Sequence, residues 1–274
     1  MRLFLGVMCF MFTGILRAQH TVPFNLNSPE NIWTLDKSLD EISGLTWVGN
    51  DSLAAVQDEK GMVYLINASS GEIIKKMKFA PPGDYEGIEY VNGRMFVISS
   101  GGCLYQLLLD HPQALSYKTP FDWRNNLEGL AYDPVNDRLL IACKDFNAIR
   151  YNQGLHGKAI YAYDYQSHTT SREPILQISV EEIEKFVTLE NKFKPSAIAV
   201  DPVSGNYYIL ASYGKLLVVC KPNGPVIAVE KLKKKLFRQP EGICFTPRGG
   251  LFISNEAKGK KATLLFFSRI PINK

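Results

Sequence analysis

Long apolar runs are nearly missing from this 274-residue chain. The longest opens it, Leu3 to Ile15, and its thirteen residues fall short of the roughly 20 that a membrane-spanning helix needs. Cysteine is scarce, five in all, and no two stand as C-x-x-C, so neither a zinc ribbon nor a dithiol redox motif is present. The four histidines, His20, His111, His156 and His168, show no metal-ligand spacing. G-x-S-x-G, P-loop and G-x-G-x-x-G patterns are absent, which removes the hydrolase elbow and the glycine-rich phosphate cradles. Charge of one sign is lacking too: 31 basic residues face 27 acidic ones, which indicates no nucleic-acid partner.

What is present begins at the N-terminus. A single Arg2, the apolar stretch and then Arg17-Ala18-Gln19 have the order of an export signal, with cleavage expected near Ala18. Residues 1–18 are read as signal peptide and 19–274 as one domain with no transmembrane span. Removing Arg2 and Arg17 leaves 29 basic and 27 acidic residues, a mature charge of +2. Cys9 leaves with the signal. Cys103, Cys143, Cys220 and Cys244 allow three disulfide pairings but read more simply as small buried residues in a chain long enough to build a core.

The rest of the chain repeats. Ile42-Ser43-Gly44-Leu45, Tyr85-Glu86-Gly87-Ile88, Leu127-Glu128-Gly129-Leu130, Pro195-Ser196-Ala197-Ile198 and Pro240-Glu241-Gly242-Ile243 share one pattern at intervals of 43, 42, 68 and 45 residues. After each motif comes a turn rich in Pro, Asn, Asp and Gly, then short β-rich apolar runs. Four short antiparallel strands per 42 to 45 residues is the unit of a β-propeller blade, and the missing Trp-Asp dipeptide argues against the WD40 kind. The expected fold is all-β, a five-bladed β-propeller, with a six-bladed ring as the alternative count. The fifth unit stops after three strands, and Asn31–Asp36 is expected to supply its fourth and close the ring. The long interval carries Ser179 and Glu182 in capping-box spacing, followed by Ile183, Phe186 and Val187 in phase with Val180. That predicts a short amphipathic helix between blades three and four.

In a propeller the first strand of each blade lines the central channel, so the repeated position becomes a ring: Ser43, Glu86, Glu128, Ser196 and Glu241. Three carboxylates across one axis raise one another's pKa unless a cation intervenes or a proton is taken up. The all-oxygen set suits a hard cation, Ca2+ first, and the following Gly or Ala suits crowding at the axis. A second ring is expected where the second strands end at the channel mouth: Asp58, Ser100, Lys144, Ser212, Asn255 and Glu256, polar residues carried on a rigid scaffold. Lys144 could balance the carboxylates or contact an anion. The basic run Lys231, Lys233, Lys234, Lys235 and Arg238 reads as a solvated outer strand or loop.

Glu41-Ile42-Ser43-Gly44-Leu45, Ala55-Val56-Gln57-Asp58-Glu59-Lys60-Gly61, Asn126-Leu127-Glu128-Gly129-Leu130-Ala131-Tyr132-Asp133-Pro134 and Gln239-Pro240-Glu241-Gly242-Ile243 resemble the bacterial SdiA-regulated (YjiK-like) family, from about Leu39 to Phe267. The resemblance implies an exported propeller of the periplasm or cell envelope. The Ser, Glu, Glu, Ser, Glu order is more distantly similar to the calcium ring of calcium-activated nucleotidases (apyrases), which implies Asp58 as an essential carboxylate. Their acidic-acidic-basic run reads Gln57-Asp58-Glu59 here. Two functions follow as expectations: a calcium-binding scaffold taking a small molecule or envelope protein at its mouth as a monomer, or a calcium-dependent phosphohydrolase using Asp58, Glu59 and Lys144. Asp58→Asn discriminates between them.

Overall fold

The computed structural model describes residues 22–149, 157–190, 192–222 and 224–271; the expected signal peptide lies outside them. Strand β1 (Asn31–Thr34) leads into a single 3-10 turn at Lys37–Leu39. Blade 1 holds β2 (Ile42–Gly49), β3 (Ser52–Gln57), β4 (Met62–Asn67) and β5 (Ile73–Lys78). Blade 2 holds β6 (Tyr85–Val91), β7 (Arg94–Ser99), β8 (Cys103–Leu108) and β9 (His111–Lys118). Blade 3 is built of β10 (Leu127–Asp133), β11 (Arg138–Cys143), β12 (Lys158–Asp164) and a split outer edge, β13 (Thr169–Thr170) and β14 (Leu176–Ile178). After helix α1 (Val180–Glu184), blade 4 holds β15 (Ala197–Val200), β16 (Tyr207–Ala211), β17 (Leu216–Cys220) and β18 (Val226–Lys231). Blade 5 has β19 (Pro240–Phe245), β20 (Leu251–Asn255) and β21 (Thr263–Phe267).

Five sheets make a five-bladed propeller, and the ring closes as the sequence predicts. β1 pairs antiparallel with β21, Asn31 opposite Phe266 and Thr34 opposite Thr263, as the fourth strand of blade 5. The innermost strands β2, β6, β10, β15 and β19 follow one another around the axis, and β19 returns to β2. Each blade is buried on both faces by its neighbours, so its middle strands read as unbroken apolar runs such as Tyr207–Ala211 and Leu216–Cys220. Five separate apolar clusters fill the five gaps between blades. The tight turns carry the residues their backbone needs: Asn92 and Gly93 both sit at positive φ, 49° and 82°, between β6 and β7.

The short helix expected between blades 3 and 4 is present as α1, though it takes up only part of the extra residues of the third unit. Part of them widens the connection between β11 and β12, and only five residues form α1. Its capping box is present: the Ser179 side chain accepts from the Glu182 N–H, and the Glu182 carboxylate accepts from the Ser179 N–H. Ile183 is fully buried and Phe186 and Val187 pack against the core between blades 3 and 4, whereas Val180 faces solvent. Cys143, Cys220 and Cys244 are buried free thiols, and Cys103 is free and half-buried, in keeping with their reading as small residues.

Candidate ligand site at the channel mouth

Four of the five ring residues sit at a β-bulge. The pairing register shifts between Ile42 and Leu45, Tyr85 and Gly87, Leu127 and Gly129, and Pro240 and Gly242, which leaves Ser43, Glu86, Glu128 and Glu241 out of the ladder. A bulge re-aims the side chain it carries, and here it does so at one level of every blade. Ser196 stands just before β15, its N–H bonded to the Leu210 carbonyl at 2.8 Å. The glycine after the ring residue is needed for close approach. A Cβ on Gly44 would lie 2.7 Å from the Ile88 nitrogen, and one on Gly87 would lie 2.8 Å from that of Leu130. A Cβ on Gly129 would lie 2.8 Å from the Ile198 side chain. Each glycine therefore lets its blade touch the next.

The carboxyls of the ring are strained electrostatically. Burial pushes Glu128, Glu86 and Glu241 all upward; Glu128 adds to the rise at Glu86. The counter-charge here is Lys144: its Nζ is 2.7 Å from Glu128 Oε1, and the pairing holds the ammonium protonated against its own burial. The two serines are partly committed. Ser196 Oγ donates to the Pro240 carbonyl at 2.9 Å and accepts from the Ser212 N–H at 3.1 Å, while Ser43 Oγ reaches the Glu41 carbonyl at 3.4 Å. Glu241 Oε2 is buried with no hydrogen-bond partner.

Just above the ring a second repeated device appears. The N–H of the residue after the second strand donates to the carbonyl two residues before the ring position: Asp58 to Glu41 at 3.3 Å, Ser100 to Asp84 at 3.0 Å, Lys144 to Asn126 at 3.0 Å and Glu256 to Gln239 at 2.9 Å. Blade 4 has a bridge between Lys194 and Tyr213 instead. Side chains from these paired positions meet at the mouth. Glu41, Asp58 and Glu256 bring carboxylate oxygens within 4.8 Å of one another, the one such trio among the described residues. Burial, then Glu41 and Glu59, push Asp58 up to about 6; burial, then Glu241, Glu41 and Asp58, push Glu256 up to about 8.

The expected mouth residues separate into groups. Asp58, Lys144 and Glu256 line the opening; Ser100 is buried and donates to Asp84; Ser212 borders the cavity beside blade 4. Glu59 is exposed beside Asp58. Asn255 is not brought to the mouth: wholly buried, its amide donates to the Leu236 carbonyl at 3.3 Å and Thr263 Oγ1 at 3.1 Å, because strand alternation turns it away from Glu256. Three acidic residues were missed. Glu41 and Asp84 could have been found, since the position two before the ring is polar in every unit: Glu41, Asp84, Asn126, Lys194 and Gln239. Glu89 lines the opposite end, its carboxylate accepting from Thr46 and from the N–H groups of Tyr90 and Tyr132, which satisfies it structurally.

A family model described as SdiA-regulated matches residues 29–258. The chain belongs to the SdiA-regulated family. Among solved structures, this SdiA-regulated propeller is similar to a streptogramin B lyase (12% identity, covering 87% of this chain and 97% of that one, TM-score 0.52). It is also similar to a luciferin-regenerating enzyme (12% identity, 88% and 95% covered, TM-score 0.51). A third similar structure is a Bacteroides thetaiotaomicron protein of unknown function (14% identity, 83% and 70% covered, TM-score 0.52). At these identities the likeness is one of fold, which hosts unrelated functions.

Proposed function

We propose that this SdiA-regulated protein is an exported binding propeller of the periplasm or cell envelope, whose channel mouth takes one hard divalent cation, Ca2+, and beside it a small molecule or an envelope protein. The observation that carries the reading is the Glu41, Asp58 and Glu256 trio, in which Asp58 and Glu256 are held well above their ordinary pKa by burial and then by neighbouring carboxylates, Glu41 among them. Such a set is relieved by a cation, and its all-oxygen chemistry suits calcium's 6 to 8 ligands better than a transition metal. At the axis Lys144 already answers Glu128, so the cation is assigned to the trio, with the unpartnered Glu241 oxygen behind it. When bound, the ion supplies a positive centre tying blade 5 to blade 1. Export rests on the Arg2, Leu3–Ile15 and Ala18 pattern. Among the described residues no helix is long and apolar enough to cross a membrane. Thermal melting with and without chelator tests the reading: added calcium raises the midpoint of the parent and leaves Asp58→Asn nearly unmoved. An equal response in both overturns the assignment.

A second reading, calcium-dependent hydrolysis of a phosphate ester or anhydride, is favoured by Asp58 alone, which at about 6 is poised to take a proton from water near neutral pH. It requires phosphoester turnover in the parent and its collapse in Asp58→Asn.

A further inference from the structure

Beside the acidic trio, the opposite side of the mouth is basic. A cavity of about 500 Å³ opens between blade 4, the segment after α1 and blade 5. Six lysines line it: Lys144, Lys194, Lys215, Lys231, Lys234 and Lys258. Three are answered, Lys144 by Glu128, Lys194 by Asp145 and Lys231 by Glu190 at 3.4 Å. Lys215, Lys234 and Lys258 make no ion pair among the described residues. Lys215 is half-buried, its Nζ donating to the Ser212 carbonyl at 2.6 Å, and burial, then Lys258, push its pKa down. In the same wall Glu241, only 7% exposed, presents Oε2 with no donor.

These two needs are complementary. Three ammonium groups without an ion pair among the described residues call for an anion of more than one charge, and the Oε2 of Glu241, whose carboxyl is otherwise served by Ser212 and Gln239, calls for a hydroxyl or amine donor. A phosphate monoester carries about −1.5 to −2 charge at pH 7. The cavity is larger than inorganic phosphate needs and within the roughly 300–1,000 Å³ of small-molecule sites. We propose that this cavity binds the phosphate monoester of a polyhydroxy compound, phosphate on Lys215, Lys234 and Lys258 and a hydroxyl donating to Glu241. The inference deepens the reading above by naming the ligand class, and its geometry stands without the cation.

The test is calorimetric titration of the full chain with glucose 6-phosphate, glucose and inorganic phosphate in the presence of EDTA. Glucose 6-phosphate is expected to bind more tightly than either fragment, and about tenfold or more weaker to Lys234→Glu/Lys258→Glu, whose altered side chains are exposed and are expected to leave the melting temperature little changed. Glu241→Ala is expected to bring glucose 6-phosphate down to the affinity of inorganic phosphate. No binding, equal binding of glucose 6-phosphate and phosphate by the parent, or unchanged binding by the double lysine variant overturns the proposal. Calcium binding by that double variant, measured separately, is expected to persist, so failure of the anion site and failure of the cation site are read apart.

Discussion

If the trio takes calcium as proposed, binding is expected to release protons, and the raised carboxyls say roughly how many. Glu256, pushed up to about 8, is about nine-tenths protonated at pH 7, and Asp58, at about 6, about one-tenth, so seating a cation displaces close to one proton. The sign follows from the direction of the shifts. Both carboxyls are raised, so in the ion-free fold protons compete with the metal, and lowering the pH weakens binding. Between pH 7 and 9 apparent affinity is expected to rise about tenfold, and between pH 6 and 8 about a hundredfold, since each unit through which a carboxyl must deprotonate is a factor of ten. Isothermal titration of chelator-treated protein with calcium, repeated at pH 7 in buffers of different ionisation enthalpy, reads the proton count directly. A count near one that falls toward zero by pH 9 is the expected result. A count of zero at pH 7 with affinity flat from pH 6 to 8 refutes the reasoning, because it would mean that no raised carboxyl has to give up a proton to the ion.

The other predictions concern the ring and the blades. Without calcium, Asp58, Glu86, Glu128, Glu241 and Glu256 all have folded pKa values above their unfolded ones, so the folded state binds more protons; stability is greatest below pH 4.5 for these groups and falls as pH rises through about 6 and about 8. Melting temperature in chelator is therefore expected to drop from pH 6 to 8.5, and saturating calcium to shrink that drop. Lys144→Met orphans a carboxylate 3% exposed and is expected to cost about 3–5 kcal/mol at pH 8.5 by urea unfolding, less at pH 6 where Glu128 takes a proton, with most of the loss restored in Lys144→Met/Glu128→Gln. Gly129→Ala forces a Cβ to 2.8 Å from Ile198 and is expected to cost about 1–3 kcal/mol, whereas Gly101→Ala, with open space around it, stays within about 0.5 kcal/mol.

The fold was legible because a blade is a local object. Its four strands, turn chemistry and period all lie within 45 residues, and the Glu-Gly motifs betray both the channel position and the close contact of neighbouring blades. Even the closure by Asn31–Thr34 could be inferred, since the fifth unit lacked an outer strand. The site was legible only in part. The ring register was clear and Lys144 was readable as a counter-charge for its carboxylates, but that it pairs with Glu128 rather than Glu86 or Glu241 depends on how far it reaches from a neighbouring strand end, a distance no spacing encodes. Asn255 and Glu256 are adjacent in sequence and opposite in direction, and without the strand's end point the one facing the mouth could not be chosen. The cavity lysines come from three blades and a loop, and Lys231 and Lys234 looked like an ordinary solvated run until the fold set them beside Lys215 and Lys258. Charge arithmetic near zero concealed a mouth divided into an acidic and a basic half.

Metal analysis of protein equilibrated with calcium and freed of excess ion bears most directly on the central claim, that the ion sits on the trio at the mouth rather than on the axial ring. The account predicts one bound equivalent in the parent and in Glu128→Gln, and none in the triple variant Glu41→Gln/Asp58→Asn/Glu256→Gln. Calcium retained by the triple variant and lost from Glu128→Gln would contradict it.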